Sequence, residues 1–215
     1  MNLAGRVVSV NVGLPRITVW HGREVESGIW KAPVDGRIAV RGINLDGDEQ
    51  ADLRVHGGPD KAVYAYAVED YAWWSEYLGR EIGPARFGEN LTVEGLDLGA
   101  MVIGTRWHVG SAVLEITQPR QPCFKLGMRM GDAEFVDMFD AAERFGVYFR
   151  ILEEGDIGAG DAIEVVPLDR DGLNAYGLAI DYREPTRDFL DRIVAEPLVP
   201  AGWREWAERH LGRLG

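Results

Sequence analysis

The chain has 215 residues, 46% of them hydrophobic and 27% charged, ordinary values for one medium domain with a real core, and its apolar runs are too short to cross a bilayer. A formal charge of −12 at pH 7 opposes nonspecific binding to nucleic acid or anionic lipid, because attraction to phosphate needs a basic face. One cysteine excludes an internal disulfide, a zinc cage and an iron–sulfur cluster; with no export signal in the first residues, the expected compartment is the reducing cytoplasm.

In chain order, the first two-thirds read as short strands separated by Gly, Pro and Asp turns. The expected strands are Val7 to Val12, Ile17 to Trp20, Arg37 to Arg41, Ala62 to Tyr66, Asn90 to Val93, Arg106 to Val109, Ala112 to Thr117, Val147 to Leu152 and Ala162 to Val166. Alternation in residues 36–41 and 106–109 suits half-buried strands of a closed or sandwich-like sheet. Many strands with few helices between them count against a doubly wound parallel fold. Two helical insertions are expected, one carrying Val68, Tyr71, Trp74, Tyr77 and Leu78, the other Phe135, Met138, Phe139 and Ala142. These aromatic stripes read as core packing rather than as a cofactor box.

After Pro167 the pattern turns helical, with segments predicted from Leu173 to Ile180, Pro185 to Ala195 and Pro200 to Leu211. Pro185 and Pro200 suit first-turn positions, where a missing N–H costs nothing. Trp203, Trp206, Ala207, His210 and Leu211 form one apolar stripe. Residues 173–215 carry six arginines and seven acids, so this tail lacks the basic face of a DNA-reading helix-turn-helix and reads as a packing or docking module. A domain of residues 1–170 followed by a three-helix domain of residues 171–215 is expected.

No phosphate loop, dinucleotide fingerprint, nucleophile elbow or HExxH pair is present. The chemistry-bearing residues cluster elsewhere. Cys123 lies in Gln118-Pro119-Arg120-Gln121-Pro122-Cys123-Phe124-Lys125-Leu126, between two cations that favour its thiolate. It reads either as a small buried apolar group or as a reactive thiol. Only three of the 23 basic residues are lysine, namely Lys31, Lys61 and Lys125, which suggests places where a compact ammonium is wanted. Asn44 to Leu53 is rich in aspartate and runs into His56-Gly57-Gly58-Pro59-Asp60-Lys61, a charge density that calls for pairing or a ligand. Glu89 and Asn90, just ahead of a strand, suit either a braced turn or contact with a heterocycle.

Five segments together carry a resemblance: Gly28-Ile29-Trp30-Lys31-Ala32-Pro33-Val34, Leu45-Asp46-Gly47-Asp48-Glu49-Gln50-Ala51-Asp52, His56-Gly57-Gly58-Pro59-Asp60-Lys61-Ala62-Val63-Tyr64, Gly88-Glu89-Asn90-Leu91-Thr92 and the stretch around Cys123. In this order they resemble the MOSC family, specifically its YiiM-like branch, from about Gly5 to about Leu211. Two departures are Trp30, where phenylalanine is usual, and Ser27 in place of threonine.

The resemblance implies a mainly β fold with helices, a MOSC-type β-barrel followed by a small C-terminal three-helix domain. It implies binding of molybdenum cofactor (molybdopterin), with Cys123 as thiolate ligand to the metal. Relatives that include the mitochondrial amidoxime-reducing component reduce N-hydroxylated compounds, and YiiM-like members are associated with base analogues such as hydroxylaminopurine. On that picture Lys31, Lys61 and Arg120 would meet the cofactor's phosphate, and Asp52, Asn90 and Thr117 would bond the pterin or position substrate. His56, whose ordinary pKa lies near neutrality, is the expected proton donor. With no flavin or nicotinamide fingerprint, electrons are expected from a separate reductase, and neither nucleic acid nor membrane is an expected partner. The competing reading is a cofactor or sulfur carrier acting through a Cys123 persulfide.

Overall fold

The computed structural model describes residues 4–52 and 57–214, apart from the side chain of residue 214. In chain order its elements are β1 (Ala4–Val12), β2 (Arg16–Trp20), β3 (Arg23–Ser27), β4 (Ala32–Val34), β5 (Arg37–Arg41), β6 (Asn44–Leu45), β7 (Val63–Ala67), α1 (Val68–Leu78), β8 (Leu91–Glu94), β9 (Arg106–Val109), β10 (Ala112–Pro119), α2 (Phe124–Met130), α3 (Phe135–Ala142), β11 (Val147–Glu153), β12 (Gly155–Gly158), β13 (Ala162–Val166), α4 (Ala175–Asp181), α5 (Arg187–Ala195) and α6 (Ala201–Leu214).

Seven strands close into a barrel in the order β13-β9-β10-β11-β7-β8-β1, with β1 returning to pair β13 and β4 added on the outside of β1. Every pairing in this sheet is antiparallel except β7 with β8. β1 makes closure possible because its first residues pair β13, its last pair β4, and a bulge between Val7 and Ser9 bends it along β8. A three-stranded sheet β12-β5-β6 and the ribbon β2-β3 lie outside the barrel. The expected mainly β fold with a barrel and C-terminal helices is the observed one.

Strand burial follows the alternation in the sequence. In β9 the side chains of Trp107 and Val109 are buried while Arg106 and His108 face out. β7 differs, with all of Val-Tyr-Ala-Tyr-Ala buried, because helices cover its outer face. There α1 and α3 bury a ring cluster in which Trp74 lies parallel to Phe139 at 5.8 Å and Tyr71 stacks on Phe87 at 4.9 Å. Tyr77, expected on the same apolar stripe, instead stays 58% exposed and stacks on Trp73.

The three tail helices form where the sequence places them. Pro185 and Pro200, however, precede the first helical residue: Thr186 caps α5, and the Pro200 carbonyl accepts the first amides of α6. Trp203 donates from its indole to Gln118 of β10 at 3.0 Å, and the Gly146 amide donates to the Tyr176 hydroxyl at 2.8 Å, so α6 and α4 are both seated on the barrel. The expected boundary near residue 170 falls between β13 and α4. Among the described residues no helix is long and apolar enough to cross a membrane.

Candidate functional site

Segments far apart in the sequence converge on one cleft, which encloses about 590 Å³ of empty space, part of it continuous with solvent. Its wall includes Lys31 from the approach to β4, Lys61 from the tight turn entering β7, Asn90 at the start of β8, and Arg120, Cys123 and Lys125 from the β10–α2 junction. Two glycines let the walls close. A Cβ on Gly28 would stand 2.2 Å from the Glu49 carbonyl oxygen, and one on Gly88, whose φ is +80°, would stand 2.7 Å from the Ile29 side chain.

Cys123 is half-buried, on the cleft wall rather than sealed in the core. It lies within electrostatic reach of Lys61, Arg120 and Tyr148. Arg120 is buried, bonds the Phe87 carbonyl, and has its guanidinium 5.2 Å from the centre of the Tyr64 ring. Burial opposes the Arg120 charge, yet Tyr64, Tyr148 and Cys123 around it hold its pKa above the ordinary arginine value. Burial lowers the Lys61 pKa below 10.5, against the pull of Cys123 and Asp60.

Lys31 is more deeply placed and forms an ion pair with Asp48, whose side chain is fully buried. Burial lowers the Lys31 pKa, with Asp48 acting against it. Asp48 also accepts from the Gly13 amide at 3.0 Å and from the Asn90 amide nitrogen at 2.9 Å. Asn90 in turn accepts from the Tyr64 backbone at 3.1 Å, so its side chain ties β7, β8 and the Asp48 loop together. Its neighbour Glu89 turns away from the cleft, collecting the Ala85 and Phe87 amides and the Tyr71 and Thr92 hydroxyls. For Glu89 the braced turn is the observed arrangement.

Five of the residues singled out from sequence therefore meet on one wall: Cys123, Arg120, Lys31, Lys61 and Asn90. Thr117 and Asp52 do not line it. The Thr117 hydroxyl lies 2.6 Å from the Asp60 carbonyl oxygen and so anchors, from behind, the turn that carries Lys61. Asp52 is half-buried and directly follows the lining residue Ala51. His56 lies outside the described residues. The charge balance of the wall runs against that of the chain: Lys31, Lys61, Arg120 and Lys125 face Glu49 in a protein of net charge −12.

The sequence profile of the MOSC domain matches residues 52–164. The crystal structure of YiiM from Geobacillus stearothermophilus superposes with a TM-score of 0.80 at 30% identity, covering 96% of this chain and 99% of that one. The chain belongs to the MOSC family, in its YiiM-like branch. This MOSC protein is also 38% identical to YflK, an uncharacterized protein of Bacillus subtilis (strain 168), over 97% of its own length and 95% of the other's. It is 32% identical over 67% of its length to a protein of Gibberella moniliformis (strain M3125 / FGSC 7600) named Reductase, of which the match covers 26%.

Three contributors to the MOSC cleft escaped the sequence reading. Asp48 stood inside a quoted motif, but its partner Lys31 is 17 residues away and no periodicity links them. Tyr64 and Tyr148, whose rings lie 4.9 Å apart beside Arg120, read as ordinary strand aromatics. Tyr148 pairs Gln118, two residues before Arg120, on one side and Tyr64 on the other, so finding them needs the register of β10, β11 and β7 to be known.

Proposed function

We propose that this MOSC protein is a molybdenum cofactor-dependent reductase of N-hydroxylated compounds, hydroxylaminopurine-type base analogues among them, drawing electrons from a separate reductase. The observation that carries the reading is the half-buried Cys123 thiol on the wall of an open, cationic cleft in a MOSC fold. The relative named Reductase supports the same reaction class.

The residues present fit the cofactor. A soft thiolate suits a metal already held by sulfur. The cleft is open to solvent, and its ammonium and guanidinium groups suit an anionic cofactor. When bound, the cofactor supplies two-electron redox chemistry at the metal. The chain's own residues do the rest. Cys123 would hold the metal; Arg120 and Lys61 would hold the phosphate, with Lys31 behind them sharing its charge with Asp48. Asn90 keeps the wall in place through Asp48 and Tyr64, and Thr117 fixes the Lys61 turn. Asp52 is assigned to positioning at the rim, and His56 to proton delivery.

The overall reaction takes R–NHOH, two electrons and two protons to R–NH₂ and water, breaking the N–O bond. The test is anaerobic turnover of 6-hydroxylaminopurine by protein expressed with ample molybdate, using reduced benzyl viologen as electron donor. Viologen should be oxidised in step with adenine formation, Cys123→Ala should fall to the uncatalysed rate, and NADH without a second protein should support no turnover. Activity equal in wild type and Cys123→Ala contradicts the reading, as does stoichiometric release of sulfur from Cys123 with no reduction, which belongs to a carrier.

A further inference from the structure

Three arginines are left unused by this reading, two of them packed against one indole and the third near Arg129. Arg16 opens β2, Arg86 lies in the loop before β8, and Arg129 is in α2. The guanidinium carbons of Arg16 and Arg129 stand 3.9 and 4.7 Å from the centre of the Trp30 ring. Burial, then the charges of Arg86 and Arg16, lower the Arg129 pKa, so Arg129 is near enough to each of the other two for their charges to oppose its own. Two partly buried arginines elsewhere have carboxylates, Arg144 with Asp70 and Arg150 with Asp60 and Glu115. Among the described residues Arg16, Arg86 and Arg129 have no such ion pair.

The buried donors point the same way. Trp30 Nε1, Arg86 Nε and Arg129 Nε are enclosed without an acceptor, three of the five such side-chain atoms among the described residues. An enclosed N–H without an acceptor is costly, and three in one cluster call for a ligand made of acceptors. A tetrahedral phosphate supplies acceptor oxygens and the negative charge that would quiet the repulsion, and guanidinium forks match it. The cluster flanks the cleft: Trp30 sits between the lining residues Ile29 and Lys31, and Arg86 adjoins the lining residue Phe87.

We propose that Arg16, Arg86, Arg129 and Trp30 form a phosphate subsite beside the cleft, which makes a nucleotide, rather than a free base, the preferred form of the N-hydroxylated substrate. The choice of substrate rests on the reductase reading; the subsite does not. Calorimetry on the full chain with adenosine 5′-monophosphate, adenosine and inorganic phosphate tests it directly. The monophosphate should bind at least about tenfold tighter than adenosine. Inorganic phosphate should compete, and the advantage should weaken as salt rises.

Arg86→Gln with Arg129→Gln should abolish that advantage, and the paired lysine substitutions should keep part of it. Arg16 is exposed, so Arg16→Gln leaves the fold intact and should weaken binding on its own. Equal binding of monophosphate and adenosine overturns the subsite. So does an advantage that survives the double variant but disappears in Lys61→Gln. Protein loaded with cofactor should keep the advantage; its loss on loading would assign these arginines to the cofactor's phosphate and overturn the nucleotide preference. If no N-hydroxylated compound is reduced while the advantage and its loss both hold, the reductase reading fails and the subsite stands.

Discussion

Lys31 sits in a place where an unpaired charge could not persist. Its side chain and that of Asp48 are 7% and 0% exposed; Lys31 donates to Asp48, which also accepts from the Gly13 amide and from the Asn90 side chain. Such a pair adds little net stability over an apolar one, but removing one partner strands the other. Asp48→Ala should therefore cost about 3–5 kcal/mol in urea unfolding, far more than a surface ion pair. A loss below about 1 kcal/mol would mean that Lys31 finds water or another anion, and that this brace is not what shapes the wall. At this scale the sequence was legible where chemistry is local. Cys123 announced itself through Arg120 and Lys125, its neighbours in the chain. Asp48, and the arginines around Trp30, become visible only once segments at 16, 86 and 129 are known to meet, because periodicity reports which face is buried and not against what.

The loop before β8 shows how an element is held by one buried carboxylate. Glu89 is fully buried, and burial raises its pKa above 4.5 although two amides and two hydroxyls donate to it. The folded chain thus binds this proton more tightly than the unfolded chain, and the site's contribution to stability falls as pH rises from 4.5 through the folded pKa. Glu89→Gln removes the titration, so the gap in unfolding free energy between wild type and variant should shrink as pH rises across that window. A gap that grows or stays flat in urea titrations would show that the hydrogen bonds outweigh desolvation. Elements with a strong apolar rhythm, such as α1, α3, β9 and β13, were readable beforehand. β3, with the sequence Arg-Glu-Val-Glu-Ser, was not, because it pairs only β2 in an outlying ribbon and has little apolar face to read. β4, β6 and β12 are two to four residues long, and α2 is seven residues with Gly127 at its centre, too short for any period to register.

Taken whole, the molecule is an acidic protein built on a barrel, with a cationic cleft among its described residues. Many short alternating strands separated by turns pointed to a closed or sandwich-like sheet, and the resemblance to the MOSC family narrowed it to a barrel. Its closure by β1 was not foreseeable, since nothing in residues 4–12 says that one strand will pair β13, β8 and β4 in succession. That closure, with the parallel pairing of β7 and β8, fixes the frame on which Lys61, Asn90 and the β10–α2 junction meet. The four cations of the wall then stand against a net charge of −12, which on the proposed reading would direct an anionic cofactor to this cleft rather than to the surface at large. The most direct test is metal content. Chains expressed with ample molybdate in a host that makes molybdopterin, and purified without oxygen, should carry molybdenum in near-stoichiometric amount as wild type and only background as Cys123→Ala. Equal molybdenum in both, with the variant folded, would contradict the assignment of Cys123 as the metal's ligand.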